Sequence, residues 1–513
     1  MPDLVCKIDW DNDGSFLHAN ADVSPDLLEA TVVRGKSNLA RGIVEGTLSL
    51  TLDNTAGTYS RDWASSPVGS QAQPHREVTL DIHVPTQAPK YSIYHLFRGF
   101  VKHIQLRHEW GRKECHIEAV DAIELMRLQR FNSPMYEAQS VSTLIGNILD
   151  LVRPIKAKPG IWFTFDQDNL GFDIAPLFGW NWTFIKRYID DIPETIAYAW
   201  WQGGTLLDAF EQLIHASGAS YYIDGEGQMH VESRYHLLGG AHVTSQQTLE
   251  AEIEDVGDYE ISAEDVRNYV EASYSKFTAG AEEQLWQMEG VPVAIQPAEK
   301  LTYLIEFTNP AQSIVDPVAN THYTVSQYWD GTGADRSAYL SVALSEYGRG
   351  GLLELTNTYA APIYIQTFML KGNPLSQDSA AKVEVYNDWS VQQYYERRAS
   401  PISNPLVQSR ARAESVAIQT LLRNDVPKPS PMVKQRNDYA NQLNRLEGDR
   451  VTLVIDGLVT SKDFNVAQIQ HHILPTPDSI DLETTFWLEQ APDLIWFTFD
   501  DDNLGFDRAV MAY

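Results

Sequence analysis

The chain has 513 residues, of which 43% are hydrophobic and 11% aromatic, and its formal net charge at pH 7 is −30. This length predicts three or four domains with substantial cores, and the composition excludes an intrinsically disordered chain. The 69 acidic and 39 basic residues argue against a surface that binds nucleic acid or acidic lipid, since both need a basic surface patch. Solubility is the simpler explanation of the negative charge.

Alternation of apolar and polar residues dominates the first part of the chain, residues 1–130. Leu48, Leu50 and Leu52 alternate with Thr and Ser and are followed by the turn residues Asp53-Asn54. Such alternation over several short strands predicts a half-buried antiparallel sheet or barrel. The same pattern recurs in residues 78–84, 97–104 and 115–120.

A small α+β domain is predicted for residues 131–245. Apolar residues recur at helical spacing in its first part, and a second amphipathic helix begins at Thr205, a suitable N-cap, and ends near Gly218. Asp224-Gly225 lies between two short strand patterns and predicts a β-hairpin.

Thirteen residues within this domain recur almost unchanged near the C-terminus. Residues 161–173 read IWFTFDQDNLGFD, residues 495–507 read IWFTFDDDNLGFD, and only Gln167 and Asp501 differ. The two copies begin 334 residues apart, which is far too long a spacing for a solenoid repeat. The duplication therefore indicates two related halves, each ending in the same segment, here called a clasp. The alternative is that both copies are similar core strands with unrelated surroundings. The predicted interface residues of the two clasps are Trp162, Phe163, Phe165, Asp168, Gly171, Trp496, Phe497, Phe499, Asp502 and Gly505.

A second β region begins near residue 255 and returns after an interruption. Residues 291–372 are rich in Thr, Tyr, Val and Ser with Gly-rich turns, which predicts an inserted β-sandwich. A helix is predicted for about 408–423, and strand patterns follow at 451–455, 464–473 and 484–488.

Motifs of enzyme chemistry are missing from the sequence. It contains no GxSxG, HExxH, Walker loop or CxxC, and its GxG pairs do not stand between a strand and a helix of a βαβ unit. We therefore predict no catalytic residue, no cofactor-binding residue and no cofactor, and a protein that is not an enzyme. Cys6 and Cys115 allow one disulfide at most. The N-terminus has no secretory signal pattern, and no stretch has the ~20 apolar residues of a membrane span.

A weak metal site is the one ligand-binding motif in the N-terminal region. Asp9, Asp11 and Asp13 match the first half of a calcium loop, but Asn20 stands where such loops need a bidentate acid. Asp22 is a candidate to substitute for that acid as a ligand. The simpler interpretation is an Asp/Asn/Gly-rich turn, so we predict no metal, with these three aspartates as weak candidates.

Two other features suggest ligands but have simpler explanations. His471 and His472 are adjacent in a strand pattern, so their side chains point to opposite faces and cannot easily share one ion. The tryptophans between residues 162 and 201 suit either a sugar-stacking platform or a core or protein contact, and the second is the commoner use of tryptophan.

Several segments, taken in order, resemble one protein family. KIDWDNDGSF, GTLSLTLDNTAGTYS, LFRGFVKHIQL and HIEAVDAIELM resemble the N-terminal barrel of tailed-bacteriophage tail hub proteins, baseplate hub-like proteins of the tail tip. TLLDAFEQLIHASGASYYIDGEGQMHVESR resembles their small α+β domain. VRNYVEASYSKF, NPLVQSRARAESVAIQTLL and LEGDRVTLVIDG resemble their second barrel. The resemblance covers most of the chain except much of residues 291–372.

The resemblance implies a mainly β fold with a smaller α+β part and two tube-like β-barrels. The first barrel is then residues 1–130, the second is residues 246–290 with 373–490, and residues 491–513 are the C-terminal clasp. It further implies a homotrimeric ring of pseudo-six-fold symmetry that caps the tail tube around a DNA channel. The implied partners are the distal tail protein, tail tube, tape measure and fibre or spike proteins.

The implied location is the tip of the virion tail, after synthesis in the host cytoplasm. DNA passes without specific binding during ejection, and the excess of acidic residues predicts a net negative channel face. The alternatives are a carbohydrate-binding receptor-recognition tail protein and a secreted glycan-active β protein. The missing signal peptide and the missing pair of catalytic acids argue against the secreted enzyme, and the two related halves favour a hub.

Overall fold

The computed structural model describes residues 2–36, 42, 44–85, 91–109, 111–152, 187–250, 253–264, 266–393, 396–476 and 479–491. With 49% strand and 16% helix, it confirms the predicted mainly β fold with a smaller α+β part. None of the described helices combines the length and apolar content needed to span a bilayer.

Six antiparallel strands form the first half of the fold. Leu48, Leu50 and Leu52 are buried, as their alternation predicts, and the residues between them face outward. The N–H of Ile8 donates to the carbonyl of Ala21 (2.8 Å), which brings the segment before the second strand alongside the first. The strands are β1 Asp3–Ile8, β2 Leu27–Gly35, β3 Thr47–Asp53, β4 Glu77–Pro85, β5 Tyr91–Glu109 and β6 Arg112–Val120.

The core of this half also holds both cysteines. Cys6 and Cys115 are buried and free, so the possible disulfide is not formed. Burial raises the pKa of the Cys115 thiol to about 12, so these thiols are poorly reactive in the folded protein.

Helices and short strands follow and form the α+β part. The Thr205 hydroxyl accepts from the N–H of Asp208, whose carboxylate accepts from the Thr205 N–H, and Gly218 ends the helix with φ 67°. This capping box and left-handed C-cap confirm the predicted helix. The elements are α1 Ile123–Leu128, β7 Arg130–Phe131, β8 Tyr136–Ser140, α2 Val141–Asp150, β9 Arg187–Ile189, β10 Thr195–Ala199, β11 Gly204–Thr205, α3 Leu206–Ser217, β12 Ser220–Ile223 and β13 Met229–Glu232.

The rest of the described chain is again mainly β. The strands up to the next helix are β14 Gln247–Leu249, β15 Ile253–Ile261, β16 Tyr269–Tyr274, β17 Phe277–Ala279, β18 Glu283–Gln287, β19 Val293–Ile295, β20 Lys300–Glu306, β21 Ala311–Ile314, β22 Tyr323–Ser326, β23 Leu340–Tyr347, β24 Gly350–Asn357, β25 Ile363–Gln377 and β26 Ala381–Tyr386. The remaining elements are α4 Asp388–Gln393, β27 Ala399–Ser403, α5 Arg410–Asn424, β28 Pro429–Arg436, α6 Tyr439–Leu443, β29 Arg450–Ile455, β30 Val459–Thr476 and β31 Ser479–Gln490.

The core of the α+β part includes elements from outside residues 131–245. That core takes in α1 from the predicted first barrel, and β16, β26, β27 and α5 from the predicted second barrel. The apolar face of α5, with Ala413, Val416 and Ala417 buried, contacts β16 and β26. An amphipathic helix must bury one face against a partner layer, and these strands provide it. The boundaries themselves stay a prediction.

The insertion packs two sheets around a core of its own. The long strand β25 pairs with β17, β18, β19, β21 and β22, and β20, β24 and β23 form the second sheet. Their common core includes Phe368 and Leu353. Its strands run from Phe277 to Gln377, beyond the predicted 291–372. The N–H of Gly348 donates to the carbonyl of Ser133 (3.0 Å), which ties the insertion to the α+β part.

Six strands, β14, β15 and β28 to β31, form the second half around the buried side chains of Phe464, Phe486 and Val433. The two halves are joined edge to edge. β2 pairs antiparallel with β30, from Ala30 opposite Ile473 to Gly35 opposite Gln468. One 12-stranded sheet therefore runs through both halves.

Candidate assembly interface

The two halves have the same strand order. In the first half, the order across the sheet is β1-β4-β5-β6-β3-β2. In the second half it is β14-β29-β30-β31-β28-β15. If the six strands of each half are numbered along the chain, both orders read 1-4-5-6-3-2. Five of the six strands also run in the same relative direction, and the exception is β14, which pairs parallel with β29.

Bulges occur at equivalent places in the two halves. In the fifth strands, Lys102 of β5 and Ala467 of β30 are the extra residues of a bulge against the sixth strand. In the second strands, Leu28 of β2 is the extra residue of a bulge against β3, and Glu254 of β15 is the extra residue of a bulge against β28. Because bulges fix register and local twist, their match shows that the halves share geometry as well as order.

The joint between the halves uses the second strand of one and the fifth strand of the other. Its inner face is buried and includes Val32, Ile469 and His471. The His471 ring contacts the Thr484 hydroxyl (2.9 Å), and the His472 ring contacts Glu29 (2.9 Å) on the outer face. The two histidines therefore point to opposite faces, as expected.

The equivalent edges at the ends of the molecule are unpaired among the described residues. β5 pairs with β4 only as far as Phe100, so one edge of residues 103–109 has no strand beside it. β15 pairs with β28 alone. Leu106 on β5 is 45% exposed and Ile261 on β15 is 59% exposed. Unpaired strand edges with apolar side chains are sites at which another chain adds.

A cleft of about 290 Å³ lies between the α+β part and the second half, and buried carboxylates of its lining pair with basic residues at the end of β2. The Lys36 ammonium pairs with the Glu232 carboxylate, and Arg34 Nε lies 3.5 Å from Glu447 Oε1. The His236 ring contacts Asp190 (2.8 Å), and this hydrogen bond raises the pKa of His236. Paired charges of this kind fix the relative position of the three parts more than they add stability.

His471 makes the stability of the joint depend on pH. Burial lowers its pKa to about 3, and the Arg34 charge adds to the effect. The unfolded chain, with a histidine pKa near 6.5, then binds more protons than the folded chain between pH 6.5 and 3. This contribution to stability is complete above pH 6.5 and is lost as the pH falls.

We expect His471→Asn to flatten the pH dependence of unfolding, because asparagine does not titrate. Between pH 6.5 and 5, the free energy of unfolding of the wild type should fall more steeply, by up to about 1.4 kcal/mol per pH unit. Urea unfolding at several pH values measures the difference. Parallel curves for both proteins would contradict the buried neutral histidine.

The predicted clasp residues all lie outside the described part of the chain, so the clasps stay a prediction. The weak metal candidates lie in a turn near the N-terminus. The Asp9 carboxylate accepts from the Gly14 N–H (2.7 Å), Asp11 accepts from the Gln71 amide, and Asp13 accepts from the Ser15 hydroxyl (2.8 Å). Within the described ranges, no three His, Cys, Asp or Glu side chains come together as a metal site.

Of the described tryptophans in the predicted aromatic cluster, Trp201 is buried in the α+β core and Trp200 is half-buried. The Trp201 indole donates to Gln212 (3.1 Å) and its ring lies 5.9 Å from that of Phe131. Trp200 meets Phe277 edge to face at 5.2 Å, where the insertion begins. Trp201 is therefore a core residue, and Trp200 is a contact residue between the α+β part and the insertion.

The unpaired edges were not predicted from the sequence. One signal was present: Ile104 and Leu106 continue the apolar alternation of β5 beyond the point where β4 ends. Alternation shows that one face of a strand becomes buried, but it does not show whether the covering chain is the same molecule.

Comparisons with known proteins find similarity at the level of solved structures. No family model and no curated protein sequence matches the chain. A tail protein from Neisseria meningitidis MC58 is 8% identical, with a TM-score of 0.48 over 95% of this chain and 96% of that chain. The 43 kDa tail protein of prophage MuSo2 from Shewanella oneidensis is 10% identical, with a TM-score of 0.47 over 95% and 98%. A prophage tail protein from Listeria monocytogenes EGD-e is 10% identical, with a TM-score of 0.40 over 94% of each chain.

Proposed function

We propose that this chain is a structural, non-enzymatic tail hub of a tailed phage. Three copies form a ring at the tail tip that caps the tail tube around a DNA channel and anchors distal tail, tape-measure and fibre or spike proteins. The observation that carries the proposal is the strand order 1-4-5-6-3-2, present twice in one chain. Three such chains present six similar β units, which suits contact with a six-fold tube.

The joint between the halves supports a ring. It connects two different strands, the second and the fifth, so it is a head-to-tail contact. Head-to-tail contacts that repeat with a closing rotation generate rings. The chain already contains one such contact between β2 and β30. Among the described residues, the equivalent edges of β5 and β15 have no strand beside them.

The charge of the protein supports DNA passage through the ring. Each phosphate that a protein neutralises adds a salt-dependent grip on DNA, so a conduit works best without a basic lining. With a net charge of −30, the ring would have little general attraction for DNA. We propose that the channel face is net negative.

Mass measurement tests the oligomer. By size-exclusion chromatography with light scattering, we expect a particle of about three times the 57.8 kDa chain mass. Tail tips labelled with antibody against the protein should show it at the distal end of the tube. A monomer in the virion, or a position far from the tip, would refute the hub.

The clasps are proposed to dock into equivalent grooves of the two halves. Removing residues 492–513 leaves the described fold complete, so any loss of rings or tail tips in this truncation would come from the C-terminal clasp. Normal assembly of the truncated chain would show that this clasp is dispensable.

Receptor recognition is a second candidate function, located in the insertion. Trp329 is 67% exposed and Tyr328 is 51% exposed in the loop after β22. Exposed aromatic rings beside polar groups suit stacking on neutral sugars. Affinity electrophoresis in gels with neutral polysaccharides tests this, with Trp329→Ala expected to abolish retardation and Trp389→Ala, at an exposed tryptophan elsewhere, expected to retain it.

A further inference from the structure

We propose that β15 of each copy pairs antiparallel with β5 of the next copy, in the register that β2 and β30 use within the chain. This inference rests on the proposed ring and identifies the contact that closes it. It follows from the equivalence of the two halves: β15 is the second strand of its half, and β5 is the fifth strand of the other.

The register follows from the bulges of the fifth strands. The ladder with the fourth strand starts at Phe100 in β5 and at Asn465 in β30, and the bulge against the sixth strand lies two residues later in both. Each β30 residue is thus equivalent to the β5 residue numbered 365 lower, as Ala467 is to Lys102. Residues 468–473, which β2 covers, correspond to 103–108 of β5.

The second strands align through the third strands they pair with. The bulges at Leu28 and Glu254 coincide in this alignment. β15 has one further irregularity between Val256 and Tyr259. After it, Tyr259 occupies the position in its half that Val32 occupies in the other. Two residues later, Ile261 is in the same way equivalent to Arg34.

The inner joint then predicts the outer one. Val32 lies opposite His471 and Arg34 opposite Ile469. In the ring, Tyr259 therefore lies opposite Leu106 of the partner subunit, and Ile261 lies opposite Ile104 of the partner subunit.

The side chains at these positions fit the proposed contact. At the inner joint, the four equivalent residues are all buried. At the outer edges, all four are large and apolar but only partly buried or exposed in one chain, and Leu106 and Ile261 are the most exposed. Cross-strand pairing would place the four on one face, where aromatic and β-branched pairs stabilise a sheet.

Charge supports the same choice of partner. The sequence of β15, IEDVGDYEI, carries four acidic residues, whereas residues 103–108 of β5, HIQLRH, carry Arg107 and two histidines and no acidic residue. Opposite charges on the two edges favour pairing of β15 with β5 over pairing of either edge with itself. A second copy of this chain is therefore the occupant that the edges fit.

Cysteine cross-linking tests the register. Residues directly opposite in antiparallel strands have Cα atoms ~4.5–5.5 Å apart, which is within disulfide reach. In the full chain carrying Tyr259→Cys with Leu106→Cys, we expect oxidation to give a covalent trimer on non-reducing gels that reductant returns to single chains. Glu260→Cys with Leu106→Cys is the matched control, because residue 260 faces the other side of the sheet. Leu106 lies directly opposite Cys115 in the ladder of β5 with β6, so both variants are made in a Cys115→Ala background, which removes this intrachain pairing. Cys6 is buried and should not cross-link.

The outcomes separate this inference from the proposed function. A trimer by light scattering without the cross-link, or with equal cross-linking of the control, overturns the strand pairing and leaves the ring. A monomer refutes the ring and the pairing together. Leu106→Asp adds an independent readout: it should dissociate the trimer at concentrations where Leu17→Asp, at an 88% exposed leucine elsewhere, retains it.

Discussion

Replacing Phe464 by alanine is expected to reduce the free energy of unfolding of the second half by about 3–5 kcal/mol, the usual cost of truncating a buried phenylalanine. Its side chain is fully buried, and its backbone lies in β30 between β29 and β31. Because β30 also carries the joint with β2, we expect the variant to lose trimers as well as stability. Thermal unfolding and light scattering measure the two effects.

Phe368→Ala is the matched control for this prediction. Phe368 is equally buried but lies in the core of the insertion, between Tyr323 and Trp286. A similar local loss of stability is expected there, with trimers retained, since the insertion has its own core. Loss of trimers in Phe368→Ala would show that the insertion supports the ring.

Replacing Glu232 by alanine should cost about 3–5 kcal/mol, because it leaves the Lys36 ammonium buried without its carboxylate. Both side chains are almost completely buried, so water cannot take over the charge. The pair joins the end of β2 to β13, and His236 Nε2 lies 3.4 Å from the same carboxylate. Urea unfolding of the full chain measures the loss.

The double variant Lys36→Met with Glu232→Leu separates pairing from burial. Apolar residues of similar volume often replace a buried ion pair at little cost, so the double variant should recover most of the stability that Glu232→Ala loses. The single variants Lys36→Met and Glu232→Leu complete a double-mutant cycle. If the costs of these two singles simply add in the double variant, the two groups do not interact.

Local patterns predicted the elements that depend on local interactions. The alternation of Leu48, Leu50 and Leu52 predicted a half-buried strand, and Thr205 predicted the start of α3. Asp224 accepts from the N–H groups of Glu226 and Gln228 in the predicted hairpin. Each signal acts within a few residues, so it can be read from one sequence.

Long-range packing could not be predicted in the same way. The alternation in β16 predicts one buried face, but the layers that cover it, α5 and the α+β core, come from distant parts of the chain. The hypothesis of two halves came from the duplicated 13-residue segment, whereas the repetition seen in the described residues is one of strand order. Many sequences satisfy one strand order, since pairing uses backbone groups common to all residues.

The joint of β2 with β30 also affects how the chain is made. It brings together Glu29 and His472, which are 443 residues apart. At ribosomal rates of ~5–20 residues per second, the N-terminal half would wait roughly 20 to 90 s for its partner strand. During that time the unpaired edge of β2 can form strand pairs with other nascent chains on the same mRNA. We therefore expect the yield of folded protein to depend on how long this edge stays exposed during synthesis.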